Sequence, residues 1–347
     1  MSAKATVRSE LRLLGLCTGL GILGLGAYAA SKFTPGSWIV AITGIGVLGF
    51  LATLILLAVR LKDFRQILAA TGLSLACTIA GTYLLLFLGV YLFQEAIANR
   101  TSSFFQPRRI SVDAAQALIS TGVESLDLTS PDGAHLRGWM VRNSTGSRTP
   151  LLIYFGGSGS ESSEMLPLAK SLDGWSVALL NYRGFGLSDG LPTQSTVLAD
   201  SLFIYDSLVG RTDIDAENVV IMGYSLGSGV AVSLSSQRPV LGTILVSPPH
   251  TWTLTGVRPS PLYGPLSGIM KHYFDSISLA PLIETRLLCL LGSNDVTVPP
   301  EISRRLAAGW GGEVKVVEFP GEDHALLFHE NKSWTDIADF LQSLNSK

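Results

Sequence analysis

The 347-residue chain predicts an α/β fold with a mostly parallel sheet, preceded by helices long enough to cross a membrane. Three observations carry that expectation. The first hundred residues hold long uncharged apolar runs. The remainder alternates short β-rich runs with helix-like stretches. Charge divides at the same place: residues 1–100 have eight Lys/Arg against three Asp/Glu, whereas residues 101–347 have seventeen against twenty-four. A basic-flanked membrane half joined to a water-soluble half gives that asymmetry. The formal net charge is -2, which supplies no strong attraction to nucleic acid.

The apolar runs cover residues 13–30, 37–59 and 67–93, and none contains a charged residue. Each is close to or longer than the ~20 residues a helix needs to cross hydrocarbon. A helix satisfies its own backbone in lipid, so all three read as transmembrane helices within an anchor spanning residues 1–100. The first run ends Ala27-Tyr28-Ala29, as a cleaved secretory signal would, but two further spans follow closely and favour a retained helix. Lys4, Arg8 and Arg12 precede the first run, and Arg60, Lys62 and Arg65 lie between the second and third, with only Lys32 between the first and second. The richer set of loops belongs on the inside, which places the large C-terminal half on the extracytoplasmic side of a multi-pass membrane protein. On that side the N-x-S/T sites at Asn99, Asn143 and Asn331 become glycosylation acceptors. With no ionisable residue inside them, the spans read as an anchor rather than a transport path. Cys17, Cys77 and Cys289 are too few and too scattered for a disulfide framework or zinc site.

Residues 101–122 are polar and mixed, a linker with some helix, before a domain over residues 123–347. Val123–Thr129 and Leu136–Val141 flank Pro131-Asp132-Gly133, a turn signal between two strands. Leu151–Phe155, Ser176–Leu180, Val219–Met222, Thr243–Val246, Leu287–Leu291 and Val314–Phe319 are apolar runs of core-strand length. Helix-like Thr193–Leu208, Leu226–Ser236 and Glu301–Ala308 fall among them. Alternation of this kind implies a parallel sheet covered on both faces. Ligands of such sheets bind beyond the carboxyl ends of the strands.

After the strand Val219–Met222 comes Gly223-Tyr224-Ser225-Leu226-Gly227 and then a helix-like run, so G-x-S-x-G stands where a strand turns into a helix. The glycines allow a turn too tight for side chains, and the turn lifts the serine oxygen above the sheet. Ser225 is therefore the expected nucleophile. Gly186-Leu187-Ser188-Asp189-Gly190 matches the same pattern but lacks a preceding core strand and runs into Leu191-Pro192, which reads as a turn.

A serine hydroxyl needs a base, itself oriented by a carboxylate. Of the five histidines, His324 alone sits in a loop directly after the final core strand. His135 follows a hairpin turn, His250 and His272 lie in an irregular stretch, and His329 begins the last helical region. His324 and His329 are five apart and do not share a helix face, so no metal site is expected. Asp295, at the carboxyl end of Leu287–Leu291, is preferred as orienter over Asp275 and Asp323. Asp323 adjoins His324 in sequence, which is poor geometry for gripping its ring. Acyl transfer also needs N–H donors for the developing oxyanion. The expected donors are the backbone N–H groups of Leu226 and of Ser158, in Gly156-Gly157-Ser158-Gly159-Ser160. That loop lacks the lysine of a phosphate-binding loop.

Together these residues resemble the α/β-hydrolase superfamily, and more closely its membrane-anchored branch of Bem-type and depalmitoylase-like proteins, with lysophospholipase and acyl-thioesterase relatives. The motifs are Ser130-Pro131-Asp132-Gly133, Asn181-Tyr182-Arg183-Gly184-Phe185-Gly186, the turn at Ser225, Gly292 through Pro299 and the segment at His324. The resemblance spans about residues 110–345. It implies that Ser225, Asp295 and His324 occupy catalytic positions and that Arg183 is structural. Relatives often have His-Gly where this chain has Gly156-Gly157, a difference in the packing of the oxyanion loop. The stretch 247–286 corresponds to a short lid, whose Trp252, Tyr263, Tyr273 and Phe274 either line an acyl pocket or pack in the core.

The expected activity is hydrolysis of an ester or thioester through an acyl-enzyme, with no cofactor and no metal. The expected partners are a lipid-like or other acyl substrate and the lipid bilayer. A small-peptide peptidase, an inactive binding module on the same fold, and a transporter subunit are the alternatives, because a fold does not set the bond cleaved.

Overall fold

The computed structural model describes residues 81, 84, 105–143, 146–251, 274–328 and 332–344. Eight strands form one sheet: β1 (Val123–Thr129), β2 (His135–Arg142), β3 (Thr149–Phe155), β4 (Ser176–Leu180), β5 (Ile214–Tyr224), β6 (Gly242–Val246), β7 (Arg286–Gly292) and β8 (Val314–Phe319). Their order is β1-β2-β4-β3-β5-β6-β7-β8. β2 runs antiparallel to β1 and β4, and every other pairing is parallel.

The helices are α1 (Val112–Ala117), α2 (Leu166–Ser171), α3 (Gln194–Val209), α4 (Leu226–Ser235), α5 (Ser276–Leu279), α6 (Pro300–Ala308) and α7 (Lys332–Leu344). Their ends follow from local chemistry. Thr193 and Thr196 cap α3 reciprocally, each hydroxyl accepting the other's backbone N–H at 3.1 and 2.9 Å. Pro300 opens α6, where its missing N–H costs nothing. The amide of Asn143 donates to Ala169 O and Leu172 O at 2.5 and 3.0 Å and so caps the end of α2.

Period-2 alternation sends each central strand's side chains to two separate cores. Leu151, Ile153 and Phe155 of β3 pack with Ile204 and Leu208 of α3 and Val230 of α4. Leu152 and Tyr154 pack on the opposite face with Leu168 of α2 and Leu341 of α7. Each fully buried Leu or Ile contributes roughly 1.5–3 kcal/mol.

The expected strands β1, β4 and β8 have the observed ends, and the rest differ by a residue or two, save β5. It starts at Ile214, five residues before the expected Val219, because buried Ile214 pairs with Thr149 across a register shift. The polar Asp215–Asn218 between them hides the strand from an apolar reading.

The stretch expected to be a linker is built into this unit over its described part. Phe105 is buried, α1 follows, and Gly186 donates its N–H to Arg108 O at 2.8 Å. Among the described residues no helix is long and apolar enough to cross a membrane. The three expected spans lie outside those residues, apart from Gly81 and Leu84. Most of the expected lid, residues 252–273, lies outside them too, as do His272 and His329.

Candidate active site

The site is assembled where β3, β5, β7 and β8 end. β5 runs into α4 through Ser225, whose φ of 51° and ψ of -118° are unusual for a residue with a side chain. The glycines either side permit it. A Cβ on Gly223 would lie 2.4 Å from Gly227 O, and one on Gly227 would lie 2.1 Å from Phe155 O. The turn is fastened by Ser225 N–H donating to Val246 O at 2.9 Å and Ser228 Oγ donating to Gly223 O at 3.0 Å.

The structure brings three of the expected residues into one hydrogen-bonded chain. His324 Nε2 lies 2.9 Å from Ser225 Oγ, and His324 Nδ1 lies 2.7 Å from Asp295 Oδ2. The other Asp295 oxygen accepts from Thr297 and Val298 N–H at 2.9 and 2.8 Å. Asp295 is buried and can turn only toward the imidazole. Asp323 instead accepts from Ala325 N–H, and Asp275 makes no side-chain cap at the start of α5. His135 pairs with Asp127, and His250 lies beside Thr251.

The loop bearing His324 is laid directly over the end of β7. Asn294 N–H donates to Glu322 O at 2.9 Å, and Gly321 N–H donates to Ser293 Oγ at 2.9 Å. Tyr224, the residue before Ser225, donates its hydroxyl to His324 O at 3.0 Å and sets its ring 5.5 Å from the imidazole. Burial, with Asp295 nearby, raises the Tyr224 phenol well above its ordinary range, so it remains a donor.

Ser158 stands in the loop after β3, and Leu226 opens α4. Neither backbone N–H has an acceptor among the described residues. The glycine-rich loop is held from outside: Tyr182 donates its hydroxyl to Gly156 O at 2.8 Å, and Gln106 donates its N–H to Ser158 O at 2.7 Å. Burial also raises the Tyr182 phenol, which keeps it a donor. Gly156 and Gly157 stand close to their neighbours: Cβ atoms there would sit 3.2 Å from Ser160 Cβ and 3.1 Å from the Tyr224 ring. A cleft of about 470 Å³ opens on this side, lined among the described residues by Gln106, Ser158, Tyr224, Ser225, His324 and Phe328. No cluster of His, Cys, Asp or Glu suited to a metal ion occurs among the described residues.

The second G-x-S-x-G has a different job. Ser188 is fully buried, accepts Arg137 N–H at 2.8 Å and donates to Asn181 O at 3.0 Å. Arg183 ties the β1–β2 hairpin to α3, with paired hydrogen bonds to Asp200 (both 2.8 Å) and to Asp132 (2.7 and 2.9 Å).

Reading by sequence missed Gln106, Ser160 and the roles of Tyr182, Tyr224 and Gly292. Tyr182 lies in a quoted motif, but its reach to Gly156 depends on β3 and β4 being neighbours. Gln106 carries no sequence signal, because its contact is made by its backbone.

A sequence model described as the alpha/beta hydrolase fold matches residues 150–263. An uncharacterized protein of Mycobacterium tuberculosis is 30% identical over 215 residues, covering 61% of this chain and 76% of that one. The alpha/beta hydrolase domain-containing protein WAV2 of Arabidopsis thaliana is 29% identical over 224 residues, covering 58% of this chain and 72% of that one. Among solved structures, a Pyrococcus furiosus esterase superposes with a TM-score of 0.52 at 18% identity, covering 69% of this chain and 99% of that chain. That last likeness is one of fold.

Proposed function

We propose, from the premise that the chain belongs to the α/β-hydrolase superfamily, that it hydrolyses esters or thioesters through an acyl-Ser225 intermediate. The observation that supports this most is the continuous chain from Asp295 through His324 to Ser225, with steps of 2.7 and 2.9 Å.

Ser225 Oγ attacks the acyl carbonyl while His324 Nε2 removes its proton. Asp295 holds the Nδ1–H tautomer and stabilises the imidazolium. The carbonyl oxygen, now negative, is received by the N–H groups of Leu226 and Ser158, helped by the free N-terminus of α4. His324 then protonates the departing alcohol or thiol. Water enters, gives a proton to His324 and attacks the acyl-enzyme; the tetrahedral adduct collapses, His324 returns that proton to Ser225 Oγ, and the carboxylic acid leaves. The proton balance closes without a metal or organic cofactor. Loss of one oxyanion donor costs about 10²–10³ in rate, so both N–H groups matter.

The three apolar runs are proposed to anchor this domain at a bilayer, with the domain on the extracytoplasmic side. Their length, lack of charge and basic flanks support that reading. Proximity to lipid favours a lipid-derived or acylated substrate. An inert binding module has no use for a base held within hydrogen-bond reach of a strained serine.

The test is fluorophosphonate labelling of the full chain beside Ser225→Ala and Ser188→Ala. Loss of label only in Ser225→Ala identifies the nucleophile, and hydrolysis of p-nitrophenyl esters and acyl thioesters by the same sample identifies the bond. A folded wild-type protein that neither labels nor hydrolyses either class overturns the proposal.

A further inference from the structure

The loop that carries Ser158 is rich in residues with no side chain to restrain it. Three of the four residues in Gly156–Gly159 are glycine, with no side chains to restrict the backbone. An oxyanion donor works only if its peptide plane is already oriented before charge develops. Each plane therefore has to be fixed by a hydrogen bond, from Ser160 at the loop's end or from groups outside it.

Three successive planes are fixed by three groups. The plane between Gly156 and Gly157 is held at both ends: Gly156 O accepts from the Tyr182 hydroxyl at 2.8 Å, and Gly157 N–H donates to Ser160 Oγ at 3.2 Å. The plane carrying the Ser158 N–H is held through Gly157 O, which accepts from Ser160 N–H at 3.3 Å. The plane after Ser158 is held through Ser158 O, which accepts from Gln106 N–H at 2.7 Å. The last is the shortest of these backbone bonds, and its donor comes from outside the β3–β4 region.

Gln106 belongs to a strap fastened along its length. Phe105 is buried, edge-on to Tyr182 at 6.2 Å and to Phe274 at 6.4 Å. Gly186 N–H donates to Arg108 O at 2.8 Å, and Arg109 Nη1 donates to Ser188 O at 2.8 Å. Arg108 pairs with Glu164. Phe105 thus packs on the same Tyr182 that holds Gly156, so two of the three fixings meet in this strap.

We propose that the strap at Phe105–Arg109 is a positioning element of the oxyanion hole, acting through the Gln106 N–H on Ser158. This rests on the hydrolase reading above. The strap follows the third apolar run by about a dozen residues, so the hydrolase site is completed by the segment that leaves the anchor.

The experiment compares full-length wild type, Gln106→Ala and Gln106→Pro on p-nitrophenyl butyrate and its thiono analogue. Sulfur is a poor acceptor, so the oxygen-to-sulfur ratio in kcat/KM reports the oxyanion hole and not general stability. Gln106→Ala keeps the N–H and removes only a side chain that lines the cleft, so it measures what that side chain contributes to both rates. Gln106→Pro removes the N–H, lowers kcat on the oxygen ester by about tenfold or more, approaching the cost of a lost oxyanion donor, and compresses the ratio. If the proline variant does not fold, an amide-to-ester replacement at position 106 removes the same N–H while leaving the side chain and φ free. An unchanged ratio after loss of the N–H, in a wild type that hydrolyses esters, overturns the positioning role alone. A wild type inactive on both substrates overturns the hydrolase reading and the inference with it.

Discussion

Gly292 and Asp323 are packed so closely that a single methyl group will not fit between them: a Cβ on Gly292 would lie 2.6 Å from Asp323 O and 2.4 Å from Glu322 O. The glycine ends β7, three residues before Asp295, and the carbonyls belong to the loop that presents His324. This contact brings the loop bearing His324 close against the strand end that leads to Asp295.

Gly292→Ala is expected to push the His324 loop off the end of β7. Displacements of about 1 Å cost about 10²-fold in rate, so kcat should fall on that scale while KM changes little. Steady-state kinetics on a p-nitrophenyl ester measure it, with slowed fluorophosphonate labelling as a second readout. An alanine variant with wild-type kcat would show that the loop contact does not control the triad.

Ser225→Ala and Ser188→Ala should separate chemistry from architecture although both serines sit in the same motif. Ser225→Ala abolishes labelling with little change in stability. Ser188→Ala leaves the part-buried Arg137 N–H without its acceptor, at about 1–3 kcal/mol, and labels normally once folded. Chemical denaturation of both variants decides it. The reverse pattern would overturn the assignment.

Arg183→Ala should cost about 3–5 kcal/mol, because it strands the buried Asp200 carboxylate. Arg183→Lys should recover only part of this, since an ammonium cannot make paired hydrogen bonds to Asp200 and Asp132 together. Denaturation midpoints of the three proteins give the order. Full rescue by lysine would show that charge alone matters there.

Acid stability should depend on Asp213. The Arg211 hydrogen bonds hold its carboxyl down at about 2 against partial burial, with the Arg142 charge assisting. A carboxyl depressed in the folded state stabilises above its unfolded value of 3.8, and that stabilisation is lost as pH falls toward 2. Asp213→Asn should therefore flatten the decline of the thermal midpoint between about pH 4 and pH 2, by lowering the midpoint modestly near neutrality, where the solvent-screened pairing is intact, and leaving it nearly unchanged at about pH 2. A decline of wild-type steepness in the variant would remove Asp213 from the account. The pair lies at the start of β5, away from Ser225 at its end, so activity near neutrality should be indifferent to the change.

Sequence alone determined the alternation of strands and helices, because burial on both faces of a parallel sheet demands apolar runs of strand length. It also singled out Ser225 as the proposed nucleophile, because only glycine tolerates the flanking approaches of 2.1 and 2.4 Å and that constraint is written in the local pattern. It pointed to His324 and Asp295 through their places after strands. Tertiary structure showed that Asp295, the residue preferred from the sequence, and not Asp323 lies against the imidazole, since adjacency in the chain is unrelated to adjacency across two loop ends. It alone made Ser188 a buried strut, through Arg137 about fifty residues away in the chain as well as nearby Asn181, and placed the Gln106 N–H on the glycine-rich loop after β3. Backbone N–H groups are the same in every residue but proline, so what one of them holds is set by where the chain passes and leaves no mark on the identity of the side chain.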